Sequence, residues 1–90
     1  MIHHAVVQLF GEQAKVWLFG SRCDDLKKGG DIDLLIQADM VDVMHAMRLK
    51  IQLLMLLEQG LGEQKVDVLL QMPDDNRPII QIAQQTGILL

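Results

Sequence analysis

The sequence predicts the α+β fold class, with a small mixed β-sheet of about three strands flanked by helices. Three short runs rich in β-branched, aromatic or aliphatic residues are separated by stretches whose apolar residues recur at helical spacing. A polar loop joins the first two runs and permits an antiparallel pair, whereas a long helix joins the second and third and permits a parallel crossover. The predicted element order is α-β-α-β-α-β-α, in which the second helix is a short one.

Three elements are predicted before the second strand. The first is a helix over residues 2–13, which Gly11 is expected to weaken or end. The first strand is predicted over residues 15–19, where β-branched and aromatic side chains are frequent. Ser21 follows this strand and is suited to cap a short helix over residues 22–26.

The middle of the chain is predicted to form a strand and a long helix. The strand covers residues 31–37 and has apolar residues on both faces, which indicates an interior position in the sheet. The helix is predicted over residues 40–59, with Asp39 as its N-cap and Gly60 or Gly62 at its end.

The last two predicted elements are a strand and a helix. The strand covers residues 65–71, and Pro73 ends it. The helix begins near Pro78, extends to Thr86 and is ended by Gly87. Residues 74–76, Asp-Asp-Asn, form a cluster of preferred N-cap residues before it.

The long helix carries apolar residues on two opposite faces, although a surface helix of a monomer needs only one apolar stripe. One stripe consists of Met44, Met47, Ile51, Leu54 and Met55, and the other of Ala46, Leu49, Leu53, Leu56 and Leu57. Either the terminal helices cover the second face, or another chain does. The second face is therefore the predicted docking surface for a partner, or for a homo-oligomer formed through residues 40–59.

Composition limits the classes of function. Ninety residues predict one domain, and the net charge of -4 without clustered Lys or Arg argues against binding of duplex nucleic acid. The single cysteine, Cys23, excludes an internal disulfide and is typical of a reducing compartment. A signal-peptide pattern and an apolar run of about 20 residues are both missing, so we expect a cytoplasmic protein without a membrane span.

Three aspartates stand out because Asp is disfavoured inside strands. Asp31 and Asp33 project from the same face of the second predicted strand, and Asp67 interrupts the apolar third strand. If these strand faces converge, the carboxylates form an oxygen-rich cluster of the kind that Mg²⁺ prefers. Without that convergence, the pair is an ordinary solvated strand end.

A polar segment directly after the first strand has the residue types of a phosphate site. Gly20 and Ser21 offer backbone N–H groups and a hydroxyl, and Arg22 offers a guanidinium. Taken alone, a Gly-Ser turn followed by an exposed arginine is common. Its position between the first strand and the carboxylate pair favours nucleotide binding.

Together these motifs resemble the DNA polymerase beta-type nucleotidyltransferase superfamily. The signature of that superfamily is Gly-Ser, a loop of about ten residues, Asp-x-Asp and a third acid on a later strand; nine residues separate Ser21 from Asp31 here. Within the superfamily the chain is similar to the minimal nucleotidyltransferases, small proteins often paired with a HEPN-domain protein. The matching segments are Phe19-Gly20-Ser21-Arg22, Asp31-Ile32-Asp33-Leu34-Leu35 and Lys65-Val66-Asp67-Val68.

The resemblance implies a nucleotidyltransferase fold and a role for each matching residue. Asp31 and Asp33 would bind two Mg²⁺ ions, and Asp67 would be the third carboxylate, which orients or deprotonates the incoming hydroxyl. The triphosphate of ATP would lie against Gly20, Ser21 and Arg22.

Three functions remain open from the sequence. The first is transfer of AMP from ATP to a hydroxyl, for which the resemblance implies a tyrosine of a HEPN ribonuclease toxin, with this chain as the antitoxin. The second is a binding module that neutralises the same partner without turnover. The third is nucleotidylation of an antibiotic, which is disfavoured because those relatives carry an additional domain.

Asp24 and Asp25 depart from a simple phosphate site, although Lys27 and Lys28 offset their charge.

Overall fold

The computed structural model describes residues 2–19, 32–39, 42–61, 65–73 and 75–90. These residues form a small α+β domain with three helices and a mixed four-stranded sheet. The elements, in chain order, are α1 (Ile2–Phe10), β1 (Lys15–Phe19), β2 (Ile32–Gln37), α2 (Val43–Leu61), β3 (Val66–Gln71), α3 (Pro78–Thr86) and β4 (Ile88–Leu89).

The strand order across the sheet is β3-β2-β1-β4. β1 is antiparallel to β2 and to β4, and β2 is parallel to β3, so both predicted pairings are confirmed. The fourth strand was not predicted, because Ile88–Leu89 is too short to show an alternating pattern. The predicted helix over residues 22–26 lies outside the described residues, as does Asp31, the first residue of the predicted second strand.

The core has two parts because β2 is apolar on both faces. Ile32, Leu34 and Ile36 belong to the larger cluster, which includes buried side chains of α1 and α2. Leu35 faces the other way and packs with Ile80 and Ala83 of α3. The helices therefore cover opposite faces of the sheet, and the predicted interior position of β2 is confirmed.

One face of α2 remains exposed. Its inward face is buried through Ala46, Leu49, Leu53 and Leu57, whereas the outward face exposes 71% of Met44 and 55% of Ile51. α3 packs on the opposite side of the sheet and does not cover this outward face. The stripe predicted as the docking surface, that of Ala46 and Leu53, is therefore the one that the fold largely buries. The exposed stripe is the other one, with Met44, Met47, Ile51 and Met55. None of the described helices combines the length and the apolar character needed to span a membrane.

The first two helices begin or end at residues that differ from the prediction. α1 ends at Phe10, where Gly11 adopts a φ of 105° and donates its N–H to the carbonyl of Val7 at 2.9 Å. α2 is capped by Asp42, not by Asp39: the Asp42 carboxylate accepts the backbone N–H groups of Met44 and His45 at 3.0 and 3.3 Å. Two aspartates near the start of α2 have the same capping chemistry, and the prediction chose the wrong one.

The N-cap of the last helix also differs from the prediction, which placed it within residues 74–76. Arg77 occupies the N-cap and makes no side-chain cap hydrogen bond, because its guanidinium only donates; Pro78 takes the first helical position. The predicted end at Gly87 is confirmed, and the Gly87 N–H donates to the carbonyl of Ala83 at 2.8 Å. A Cβ on Gly87 would collide with the carbonyl oxygens of Ala83 and Leu18, so glycine is required where α3 turns into β4.

We expect Gly11→Ala to lower the free energy of unfolding by about 1 kcal/mol, because a Cβ is disfavoured at positive φ. No atom lies within 4 Å of the new Cβ, so the cost is conformational and not a clash. Gly60→Ala, inside α2, is the matched control and should raise stability by roughly 0.5 kcal/mol or more. Urea denaturation measures both; equal effects would contradict this interpretation.

The ion pair before α3 makes a second prediction. Side-chain hydrogen bonds from Arg77, the shortest at 2.7 Å, hold the pKa of Asp75 below its ordinary value, although desolvation opposes this. The pair therefore contributes stability above the ordinary aspartate pKa and loses it as pH falls through the lowered value. An NMR titration should show the pKa of Asp75 rising in Arg77→Ala and unchanged in Arg48→Ala. An unchanged value in both would contradict the pairing.

Candidate functional site

Two of the three predicted aspartates lie side by side in the sheet. Asp33 of β2 is in register with Asp67 of the parallel strand β3, and on its other side with Phe19 of β1. Residues in register on neighbouring strands point to the same face, and the strands lie about 4.8 Å apart. Phe19, Asp33 and Asp67 thus form a row across one end of the sheet, which we call the carboxylate row.

The position of α3 explains why the carboxylate row is accessible. α3 covers the next row of the same face, in which Trp17, Leu35 and Leu69 are in register across the sheet. The carboxylate row lies one step beyond this apolar row, at the C-terminal end of β1 and the N-terminal ends of β2 and β3. Asp33 is half-buried there, and Asp67 is exposed.

The other predicted site residues are Gly20, Ser21, Arg22 and Asp31, and all four lie outside the described residues. In the chain, Gly20 directly follows Phe19 and Asp31 directly precedes Ile32, so both adjoin strands of the carboxylate row. Within the described ranges, no group of three His, Cys, Asp or Glu side chains is arranged to hold a metal ion. The structure therefore brings together two members of the predicted triad, and the third stays a prediction.

The chemistry of the carboxylate row suits a hard cation. Two carboxylates about 5 Å apart repel by roughly 1 kcal/mol in water-like surroundings, and a divalent cation between them removes this repulsion. Their oxygen atoms are the ligands that Mg²⁺ prefers. On donor chemistry, Asp33 and Asp67 fit Mg²⁺.

A cavity of about 510 Å³ lies at the opposite end of the sheet and is a less suitable site. Its lining includes Gln37, Asp39 and Gln71. The side chain of Gln71 is already used within the fold, since it accepts a hydrogen bond from Gln84 and donates one to the carbonyl of Asp75. We therefore place the candidate site at the carboxylate row, where two acidic side chains are in register on neighbouring strands.

Comparison with known proteins adds no assignment. No protein-family model matches this chain, and a search of curated proteins finds no match.

We expect Mg²⁺ to raise the melting temperature of the protein and Asp67→Asn to abolish most of that increase. Without divalent cations, the same substitution should leave stability unchanged or raise it slightly, because it removes one of two repelling charges. Asp39→Asn is the matched control, since Asp39 is exposed at the opposite end of the sheet. Differential scanning fluorimetry with and without Mg²⁺ measures this. An equal Mg²⁺ response in all three proteins would contradict a cation site at Asp67.

Proposed function

We propose that this chain is a Mg²⁺-dependent nucleotidyltransferase with the nucleotidyltransferase fold, similar to the minimal members of the DNA polymerase beta-type superfamily. The observation that carries the proposal is the register of Asp33 with Asp67, which joins carboxylates 34 residues apart in sequence on one sheet face. A solvated strand end would not require a second acid on the neighbouring strand.

The order of the motifs along the sheet gives further support. Phe19 belongs to the carboxylate row, and Gly20 and Ser21 come directly after it in the chain. The predicted triphosphate segment and the predicted cation ligands therefore adjoin the same end of the sheet. This is the arrangement that transfer of a nucleotidyl group requires, because the reaction depends on positioning and on neutralisation of charge.

The proposed reaction assigns a task to each residue. The acceptor hydroxyl oxygen attacks the α-phosphorus of ATP, the bond from this phosphorus to the bridging oxygen breaks, and pyrophosphate leaves. Asp67 takes the proton of the hydroxyl or orients that hydroxyl. Gly20, Ser21 and Arg22 bind the triphosphate, and Asp31, Asp33 and Asp67 would hold Mg²⁺. The bound ions would neutralise charge on the attacking and leaving oxygens.

The proposed acceptor is a tyrosine of a HEPN-domain toxin, with this chain as the antitoxin. The exposed outward stripe of α2, in which Met44 is 71% and Met55 57% exposed, is the proposed docking surface. The sequence contains no tyrosine, so labelling of its own tyrosines cannot obscure the assay.

The alternative is a binding module that neutralises the same partner by contact alone. The observation in its favour is again the outward stripe of α2, because it offers an apolar surface that is independent of the carboxylate row. Under this alternative, the carboxylate row binds a nucleotide without turnover.

The test incubates the protein with Mg²⁺ and the HEPN-type product of an adjacent reading frame. We expect label to reach the partner from ATP labelled at the α-phosphate and not from ATP labelled at the γ-phosphate. The distinction matters because only nucleotidyl transfer retains the α-phosphorus.

Variants then separate the two proposed functions. Asp33→Asn and Asp31→Ala should each reduce transfer by a factor of 100 or more, on the order expected for lost transition-state stabilisation, while Asp39→Asn leaves it unchanged. Complex formation without any transfer would favour the binding module. Transfer that survives loss of both Asp31 and Asp33 would contradict the enzyme proposal.

A further inference from the structure

β3 lies at one edge of the sheet that the described residues form, and Val68 at its centre is 7% exposed. β3 is the last strand of the sheet on its side, and the carbonyl of Lys65, directly before it, accepts the N–H of Ile32. Because backbone groups of successive residues alternate in direction along a strand, those of Val66, Val68 and Leu70 point away from β2. Within the described part of the chain, both backbone groups of Val68 are without a partner.

One end of this edge is closed by an arginine. The guanidinium of Arg77 donates to the carbonyl of Leu70 at 3.0 Å, which confirms that Leu70 points outward. Arg77 also pairs with Asp75 at 2.7 Å, so its charge is largely balanced. The accessible length of the edge therefore runs from Val66 to the N–H of Leu70.

A groove of about 320 Å³ runs between this edge and α2. Val43 and Met47 of α2 line it, and 61% and 45% of their surfaces, respectively, are exposed. Most of the surface of the groove is apolar. Lys50 lies on the same wall of the groove, and it forms no ion pair with any residue that the structure describes. The groove thus combines open backbone groups, apolar side chains and one cation along its length.

We propose that this groove binds an extended segment of another protein, which adds to the sheet as a strand along β3. Its backbone bonds the outward groups of Val68 and the N–H of Leu70, as in other cases of strand addition. On the α2 side, its alternate side chains are apolar against Val43 and Met47, followed by a carboxylate beside Lys50, which lies one turn beyond Met47. Pairing of an edge strand and burial of the exposed apolar side chains of Val43 and Met47 both favour this complex.

The charge of the groove favours such a segment over a second copy of this chain. Strand pairing between two copies through the same edge would bring two identical grooves together, and the described lining of each groove holds Lys50 but no carboxylate. A segment that carries a carboxylate gains from Lys50, whereas a second copy does not supply one there.

This site is separate from the carboxylate row. The side chain of Asp67 points to the α3 face, whereas Val66, Val68 and Leu70 belong with the α1 and α2 face. Binding of the segment therefore does not depend on the proposed nucleotidyl transfer, and its test needs no activity measurement.

The test uses a synthetic heptapeptide in which threonine alternates with valine, valine and glutamate, in the order in which Val43, Met47 and Lys50 line the groove. We titrate it to millimolar concentration into the ¹⁵N-labelled protein and follow the amide signals. We expect the largest shifts, and the largest slowing of hydrogen exchange, at Val68 and Leu70, with no shift at Trp17 in the sheet interior. The absence of shifts at Val68 and Leu70 would overturn the proposal.

Charge exchange tests the predicted carboxylate. Replacing the glutamate of the peptide by lysine should weaken binding about tenfold, and Lys50→Glu should weaken the glutamate peptide by a similar factor. The lysine peptide should bind the Lys50→Glu variant more tightly than it binds the unsubstituted protein. Arg48→Glu is the matched control, because Arg48 is exposed on the same helix but does not line the groove.

Two further results would overturn the proposal. Equal affinity for the glutamate and lysine peptides would show that Lys50 does not contribute to binding of the segment. Slow exchange at Val68 and Leu70 in peptide-free protein, together with a dimer in sedimentation velocity, would assign the edge to a second copy instead.

Discussion

The structure depends on the burial of β2 from both sides. The side chains of Ile32, Leu34, Leu35 and Ile36 are all buried. The strand therefore cannot be an edge strand, and neither face of the sheet at β2 can be left open to solvent. β1 and β3 must flank it, and helices must cover both faces. Burial of these four side chains contributes on the order of 1.5–3 kcal/mol each, which makes β2 the largest single source of apolar stabilisation in the sheet.

The candidate site follows from the same constraint. α3 has nine residues and packs on the apolar row of Leu35 and on Phe19, whereas neither Asp33 nor Asp67 belongs to this cluster. Asp33 and Asp67 lie beyond this apolar row, at the end of the same sheet face.

The two edges of the sheet differ in how well they are protected against pairing with another strand. β4 is a strand of two residues, and short edge strands limit unwanted pairing. β3 is a full six-residue strand, and among the described residues Arg77 blocks one carbonyl of its edge. The proposed strand addition uses β3, and the proposed contact uses the outward stripe of α2. These two surfaces adjoin each other, so a single partner can contact both.

Much of the architecture was predictable from local patterns. β1 was predicted with its observed bounds because β-branched and aromatic residues lie between clear breaks, and the pairing directions followed from connection length. The cap of α2 was not, because Asp39 and Asp42 are chemically equivalent and tertiary packing decides between them. β4 was missed because its pairing with β1 is a long-range contact that two residues cannot encode.

The site was predictable only in part, for a related reason. Alternation placed each aspartate on a strand face, but no sequence pattern determines the register between strands that are joined by a long helix. The structure supplies that register for Asp33 and Asp67. The contributions of Gly20, Ser21, Arg22 and Asp31 stay predictions from the sequence.

Paramagnetic broadening tests most directly whether a cation and a nucleotide bind at the carboxylate row. Mn²⁺ with ATP, added in substoichiometric amounts to ¹⁵N-labelled protein, broadens the amide signals nearest to the bound ion. We expect the signals of Phe19, Asp33 and Asp67 to broaden first, and those of Gln37 and Gln71 at the opposite end of the sheet to persist. Broadening centred on Gln37 and Gln71, or no site-specific broadening, would contradict a nucleotide site at the carboxylate row.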